Sequence, residues 1–262
     1  MFYIGTAGYS YRDWVGTFYP DGTKSSEMLA RYAREFSFVE VNSTYYRLPD
    51  VRLMTGLAQK TPASFRFAVK AYRGITHERQ NPSLDAGRFM AALKPLAEAG
   101  KLSCVLFQFP YSFHNTPANR DYLKFLREWC GEVPAAVEFR NRRWISGEVF
   151  SLLRNERLAL VCVDEPPVKG LIKPLAVVTA PPAYVRFHGR NAGKWYEHTE
   201  SYERYDYLYS SEELKEWLPR LKVLERAAGE VYVSFNNHFR GQAVVNARMM
   251  REIMDAAGYR AF

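Results

Sequence analysis

Three pairs of polar residues are spaced two apart, each at the end of an apolar run that reads as a β-strand. These pairs are Glu40 and Asn42, Glu138 and Arg140, and Arg186 and His188. Because successive side chains of a strand alternate between its two faces, the members of each pair share one face. Carboxylates, imidazoles and guanidinium groups on a common face can move protons, ligate a divalent cation or bind an anion. The sequence thus presents Glu40, Glu138 and His188 as candidate catalytic groups.

Other polar residues end the remaining apolar runs. They are Lys70, Gln108, Asp164, Asn236, Asn237 and His238. Burying charged groups in a sheet is costly unless they are paired or used. Two interpretations follow: an ion-pair network that fills the interior, in which Lys70, Arg140 or Arg186 balances Glu138, or a functional site. We favour the functional site, because the polar residues collect at the strand ends where parallel barrels place their sites.

Eight short apolar runs rich in β-branched and aromatic residues predict eight strands. They cover residues 2–6, 37–42, 65–70, 104–109, 135–140, 158–164, 183–188 and 231–236. Most gaps between them show the period of amphipathic helices. Eight alternations of strand and helix are typical of an α/β protein of the (β/α)8 TIM-barrel type, here one domain over residues 1–262. An open doubly wound sheet is the alternative, although GTAGYS lacks the glycine spacing of a nucleotide-binding loop.

Two segments interrupt the alternation of strands and helices. Residues 165–182, after the sixth strand, are rich in proline, which predicts an irregular sixth crossover instead of a helix. Residues 189–210, after the seventh strand, form a longer connection than usual, and such loops commonly bind ligands or close over sites. We expect this long loop to cover part of the pocket, with Arg190 and Trp195 closing over a substrate.

The composition is that of a moderately basic globular protein. There are 36 Lys and Arg against 28 Asp and Glu, a formal charge of +8, and 47% of the residues are hydrophobic. No apolar window is long enough for a membrane helix, and no signal peptide precedes the first strand. Cys104, Cys130 and Cys162 are widely spaced and odd in number. We therefore expect free thiols, no disulfide partner, no membrane association and a cytoplasmic location.

Several longer strings, in chain order, resemble the YecE-like family of unknown function. They include GTAGYSYRDWVGTFYP from Gly5, VEVNSTYYRLP from Val39, AVEFRNRRW from Ala136, YVRFHGRN from Tyr184 and SFNNHFRGQAVVNA from Ser234. The match runs essentially from end to end. The resemblance implies a TIM-type barrel and brings no settled activity with it. Tyr9 and Asn141 depart from the family's usual Trp and His, and the amide at position 141 cannot titrate.

The favoured function is a hydrolase that acts on a phosphate-containing substrate, either nucleic acid or a nucleotide-like molecule. Lys70 and Arg186 are predicted to hold the anion, and Glu138 to act as a base or metal ligand. A divalent metal cofactor is compatible with this chemistry, with ligands among Glu138, Asp164, His188 and His238. Both histidines are also candidate proton donors. Further residues predicted to contact substrate are Trp14, Asn42, Gln108, Arg140, Arg190, Asn191, Trp195, Asn236 and Asn237.

Two other functions remain open at this stage. Glu40 and Glu138 come from different strands and are candidates to flank a sugar, as in two-carboxylate glycoside hydrolases. A cationic lining, however, suits a neutral sugar poorly. The basic and aromatic residues interleaved in RFHGRNAGKWYEH also suit a non-catalytic protein that binds single-stranded nucleic acid. The hydrolase hypothesis and the nucleic-acid-binding hypothesis both predict an anionic partner, which is a small molecule or a nucleic acid.

Overall fold

The eight predicted apolar runs form the strands of a closed, all-parallel barrel. This computed structural model describes residues 1–262, with the side chain of Ser201 left out of the description. The strands of the described chain are β1 (Phe2–Ala7), β2 (Phe38–Val41), β3 (Arg66–Lys70), β4 (Leu102–Gln108), β5 (Ala135–Glu138), β6 (Leu158–Asp164), β7 (Ala183–Phe187) and β8 (Val231–Phe235). Each strand pairs with the next, and β8 closes on β1. The predicted (β/α)8 TIM-type fold is confirmed, and the open sheet is excluded.

Helices connect most of the strands and cover the outside of the barrel. They are α1 (Ser25–Tyr32), α2 (Ser43–Tyr46), α3 (Val51–Gln59), α4 (Pro82–Glu98), α5 (Pro117–Cys130), α6 (Gly147–Asn155), α7 (Ser211–Lys215), α8 (Leu218–Ala228) and α9 (Gln242–Ala256). Ser210 and Glu213 form a reciprocal capping box that begins α7. Pro219 lies in the first turn of α8. Because a proline ring clashes with the preceding turn of a helix, residues 211–228 form two helices, α7 and α8, instead of one.

The two irregular segments lie where proline content and connection length predicted them. The described backbone of residues 165–182, between β6 and β7, contains no helix. Thr179 ties this segment to β6, because its hydroxyl oxygen accepts a hydrogen bond from Leu160 N at 2.8 Å. The long loop, residues 189–210, contains one 3-10 turn at Ser201–Tyr205. The connection between β6 and β7 therefore has no helix, whereas the long loop leads into α7 and α8 before β8.

Charged side chains are buried inside the barrel near the carboxyl ends of the strands. Glu40 and Glu138 are 0% exposed and Arg186 is 1% exposed. Strands of a parallel barrel are covered on both faces, so these charges have no access to bulk water. β1 and β2 also approach each other closely at Gly5, where an added Cβ atom would lie 2.1 Å from Phe38 O.

All three cysteines are buried, and their thiols are free. Burial raises the pKa of Cys162 to about 11, which keeps this thiol protonated and poorly nucleophilic near neutral pH. The cysteines therefore act as small apolar core residues. Among the helices that the structure describes, none is both long and apolar enough to cross a membrane.

Candidate functional site

A pocket of about 440 Å³ opens at the carboxyl ends of the strands, which is a volume suited to a small-molecule ligand. We call it the mouth pocket. The predicted site residues in its wall are Asn42, Lys70, Gln108, Arg140, Arg186, Asn236 and His238. The wall also includes Ser10, Tyr11, Ser43, Tyr45, Tyr46 and Tyr205. The structure thus brings together side chains that follow β1, β2, β3, β4, β5, β7 and β8.

Arg186 is the centre of a buried charge cluster beneath the mouth pocket. Its Nε and Nη2 atoms donate to the two carboxylate oxygens of Glu40 at 2.8 and 2.6 Å. Its Nη1 atom donates to Glu138 Oε2 at 2.5 Å, and the Tyr184 hydroxyl donates to Glu40 Oε2 at 2.5 Å. Bidentate pairs of this kind are the strongest that arginine forms. Both oxygens of Glu40 are therefore occupied by protein donors.

Glu138 is also held by several cationic or polar neighbours. Its Oε1 atom lies 2.8 Å from Arg140 Nε and 3.2 Å from His188 Nε2. Burial alone would raise the pKa of Glu138, but Arg140 and Arg186 hold that pKa well below its usual range. Glu138 is consequently a carboxylate at any ordinary pH. This state rules out a role as a general acid and leaves it as the balancing charge for two arginines.

His188 is a buried, neutral imidazole. Asn236 Nδ2 lies 3.1 Å from His188 Nδ1, so the amide donates to Nδ1 and the ring proton resides on Nε2. Burial and the nearby Arg140 lower the pKa of His188 to about 3. The ring therefore carries no acidic proton near neutral pH, which argues against its predicted role as a proton donor. Burial also lowers the pKa of His238, whose ring stacks on Tyr11 at 4.6 Å.

Lys70 ends β3 and presents the one ammonium group in the described pocket wall. Its Nζ atom lies 4.4 Å from the centre of the Tyr45 ring. No carboxylate of the described residues lies within ion-pair distance of it, because Glu40 and Glu138 are held by arginines. Burial, followed by repulsion from Arg186, lowers the pKa of Lys70 to about 7. Lys70 is therefore the group of the pocket that changes charge near neutral pH.

Of the four predicted metal ligands, Glu138 and His188 lie 3.2 Å apart, but Asp164 and His238 do not join them. Asp164 points away from the mouth pocket and accepts from Arg190 at 2.8 and 2.9 Å, from Tyr209 at 2.8 Å and from Trp217 at 2.7 Å. His238 stacks on an aromatic ring instead of facing Glu138. Among the described residues, no group of three or more His, Cys, Asp or Glu is arranged to hold a metal ion. The side chains present therefore do not fit the divalent metal centre suggested by the sequence.

Five predicted substrate contacts do not reach the pocket wall. They are Trp14, Arg190, Asn191, Trp195 and Asn237. Trp14 and Trp195 are 0% and 3% exposed, so neither offers a free ring face. Arg190 turns toward the carboxylates of Asp164 and Glu216. The amide groups of Asn191 and Asn237 donate to backbone carbonyls of the long loop. The loop contributes Tyr205 to the pocket, in place of the expected Arg190 and Trp195.

Sequence reasoning did not single out Tyr45 and Tyr205 of the wall, and it missed one acidic residue. Tyr45 and Tyr46 follow Asn42 directly after β2, and their position next to a polar strand end was the available signal. Tyr205 carries no such signal, because the conformation of a long loop decides which of its side chains reaches the pocket. Glu165, the neighbour of Asp164, was overlooked although it also ends an apolar run.

Glu165 is a second carboxylate partner of Arg140. Its Oε2 atom accepts from Arg140 Nη1 at 3.3 Å, its Oε1 atom accepts from Ile172 N at 2.7 Å, and its side chain is 0% exposed. Burial raises the pKa of Glu165 from 4.5 to about 7 in spite of Arg140. Because the folded pKa lies above the unfolded one, its contribution to stability is complete below pH 4.5 and is lost as the pH rises through about 7.

This pKa predicts a pH-dependent difference between the wild type and Glu165→Gln. Between pH 4.5 and about 8, the wild type should lose about 3 kcal/mol of unfolding free energy relative to the variant, whose amide does not titrate. Urea denaturation of both proteins over a pH series measures the difference. A difference that stays constant across this range would contradict the raised pKa.

Known proteins similar to this chain share its fold. A family model described as "Protein of unknown function DUF72" matches residues 3–261. UPF0759 protein YunF of Bacillus subtilis is 33% identical over 97% of this chain and 95% of its own length. A DUF72 family protein from Thermotoga maritima superimposes with a TM-score of 0.89 at 40% identity, covering 97% of this chain and 99% of that one. One from Enterococcus faecalis gives 0.87 at 28% identity, covering 97% and 96%.

Proposed function

Since the chain belongs to the DUF72 family of proteins of unknown function, we propose that its barrel, as one domain, is an enzyme acting on a small phosphate-containing substrate. The substrate binds in the mouth pocket. One observation carries this proposal: the described wall contains Lys70, Arg140 and Arg186 but no carboxylate. Anionic ligands require such a lining, and arginine and lysine are the common donors to phosphate oxygens.

The charge of the cluster favours an anion as well. Arg186 and Arg140 are balanced by Glu40 and Glu138, whose carboxylates lie behind the wall and are 0% exposed. Lys70 has no such partner among the described residues. One positive charge therefore remains unbalanced at the surface of the pocket when Lys70 is protonated and Glu165, the second carboxylate beside Arg140, is neutral. A phosphate group placed here would pair with Lys70 while the arginines keep their internal partners.

Polar groups in the wall are available to orient the rest of a substrate. Asn42 Oδ1 is buried and accepts no hydrogen bond from any described residue. Gln108 donates through Nε2 to Phe109 O at 2.8 Å, which leaves its carbonyl oxygen free to accept. Tyr46 is 71% exposed at the rim and presents a ring face to solvent. These groups suit a substrate that joins a phosphate to a polar or flat organic part.

Hydrolysis of a phosphate ester, the reaction predicted from the sequence, requires a base that activates water. Glu138 is fully engaged by cations, and His188 is neutral. Only the neutral form of Lys70 can take a proton from an attacking water, whereas only its protonated form pairs with the phosphate, so Lys70 does not perform both roles at once. The sugar-hydrolase alternative is disfavoured because Arg186 binds both Glu40 and Glu138, so neither carboxylate is free to flank a sugar.

Replacing Lys70 by Met is expected to weaken phosphate binding about 10-fold or more, because one charge-assisted contact is lost while the shape of the side chain is kept. Isothermal titration with inorganic phosphate and a nucleoside monophosphate measures the affinities. The matched control is Lys94→Met, which removes an exposed lysine on α4 and should bind as the wild type does. Equal affinity of Lys70→Met and wild type would overturn the proposal.

A short oligonucleotide, titrated over a salt series, tests the size of the ligand. Binding of the monophosphate without binding of the oligonucleotide supports a small substrate. Tighter binding of the oligonucleotide, with an affinity that falls steeply with salt, would favour a nucleic-acid partner and overturn the small-molecule assignment.

A further inference from the structure

The surroundings of Lys70 are those of a reactive amine. Its Nζ atom lies over the Tyr45 ring at 4.4 Å, and the residue lines the mouth pocket, so the amine stands beside the ligand space with an aromatic ring against it. The lysine projects from the carboxyl end of β3, where the barrel backbone holds it in place. The Thr44 hydroxyl donates to Lys70 O at 2.6 Å, which fixes the backbone at this position.

The charges around Lys70 explain its protonation state. Charged or titratable side chains face it from β2, α2, the turn after β3, β5 and β7. They are Glu40, Tyr45, His77, Glu138, Arg140 and Arg186. Burial and Arg186 favour the neutral amine more strongly than the two carboxylates favour the ammonium, and the pKa falls to about 7. About half of the Lys70 side chains are then uncharged at neutral pH, compared with less than about one in a thousand for an exposed lysine.

A neutral amine in a pocket has a characteristic reaction with carbonyl compounds. We propose that Lys70 forms an imine with a carbonyl group of the substrate, so that the substrate class is a phosphorylated aldehyde or ketone. The phosphate part of this inference rests on the proposed function, with the protonated imine at Lys70 supplying the positive charge that pairs with the phosphate. The imine itself rests on the placement of Lys70 beside Tyr45 in the pocket lining. This would make Lys70 a catalytic residue, because its Nζ bonds to the reacting carbon.

The step is balanced without a further reactant. The lone pair of Nζ attacks the carbonyl carbon, an N–C bond forms, and the C=O π electrons move to the oxygen. A proton passes from nitrogen to that oxygen. A second proton, returned by solvent in place of the one that Lys70 released on becoming neutral, lets the oxygen leave as water, and a C=N bond remains. The protonated imine keeps the positive charge of the original ammonium. Glu40 and Glu138, which favour a charged Lys70, stabilise this cation in the same way.

Pyridoxal 5′-phosphate with borohydride reduction tests this inference on the wild-type protein. This probe carries an aldehyde and a phosphate, and pyridoxal is the matched aldehyde without the phosphate. Reduced imines are located by digestion and mass spectrometry. We expect Lys70 to be labelled at least about 10-fold more than the exposed Lys94 by pyridoxal 5′-phosphate. Pyridoxal should label Lys70 less, and inorganic phosphate should protect Lys70 from the phosphorylated probe.

The outcomes separate the imine from the proposed function. If neither aldehyde labels Lys70 above Lys94, the imine is overturned, whatever the affinity for phosphate. If both aldehydes label Lys70 equally and phosphate gives no protection, the imine is supported and the phosphate-binding function is overturned. In a Lys70→Arg variant, labelling elsewhere should match the wild type. Phosphate-protected labelling that persists in Lys70→Arg would place the reacting amine elsewhere and overturn the inference.

Discussion

Replacement of Arg186 by Met should lower the free energy of unfolding by about 5 kcal/mol or more, because two buried carboxylates lose their shared cation. Glu40 and Glu138 are 0% exposed and receive three hydrogen bonds from this guanidinium. Without it, at least one of them must take up a proton or draw water into the barrel. The loss should therefore shrink at low pH. Urea denaturation followed by circular dichroism gives the size of the effect.

Two further variants test whether the loss comes from buried charge. Adding Glu40→Gln to Arg186→Met removes the carboxylate that has lost its cation, while Arg140 still balances Glu138, and should restore much of the stability. The matched surface control is Arg248→Met. Arg248 also makes a bidentate pair, with Glu35 at 2.5 and 2.8 Å, but the two side chains are 42% and 25% exposed. This control should cost less than about 1 kcal/mol. Similar losses for Arg186 and Arg248 would refute the explanation.

The second large effect is expected at Gly5, where Ala should destabilise the barrel by at least about 4 kcal/mol. An added Cβ atom would lie 2.1 Å from Phe38 O and 2.9 Å from the Tyr32 hydroxyl. Phe38 is the register partner of Gly5 in β2, and its carbonyl oxygen also accepts from Tyr32 at 3.0 Å. Since the nearest atom belongs to the backbone, β1 and β2 must separate to make room. A scan of thermal unfolding detects the change.

Gly56→Ala is the matched control for this prediction. Gly56 lies within α3, and no atom is within 4 Å of the position that its Cβ would occupy. Alanine should stabilise this helix by about 1 kcal/mol, because it restricts the unfolded chain more than glycine does. If both substitutions changed stability by the same small amount, the close approach of β1 and β2 would not be what requires glycine at position 5.

Local patterns were sufficient to predict the strands. Residues 158–164 form a run of β-branched and apolar residues, and β6 has those same bounds in the structure. The proline-rich crossover was predictable for a similar reason, because proline limits the backbone whatever surrounds it. The prediction that polar strand ends share one mouth followed from parallel strands, whose carboxyl ends lie on one side of a barrel.

The ion-pair partners that meet across the interior of the barrel could not be predicted from the sequence. Arg140, Arg186 and Lys70 were all candidates to balance Glu138, and spacing along the chain does not distinguish them. Which of them pairs with Glu138 depends on which side chains meet inside the barrel. Arg140 and Arg186 do so, and Lys70 has no carboxylate within ion-pair distance among the described residues. Arg190 was predicted to close over a substrate, but α7 and the residue that follows it place Glu213 and Glu216 beside it. Tertiary packing, not local sequence, decided each of these contacts.

The bond between Arg186 and Glu40 joins residues that are 146 positions apart in the chain. A half-barrel of β1–β4 would contain Glu40 without its guanidinium, and a half-barrel of β5–β8 would leave Arg186 with one of its two carboxylates. Neither half-barrel can pair all of its interior charges. If one half unfolds, the buried charges of the other half lose partners and must be solvated by water. The cluster that shapes the pocket thereby also makes unfolding cooperative, because the two halves of the barrel depend on each other.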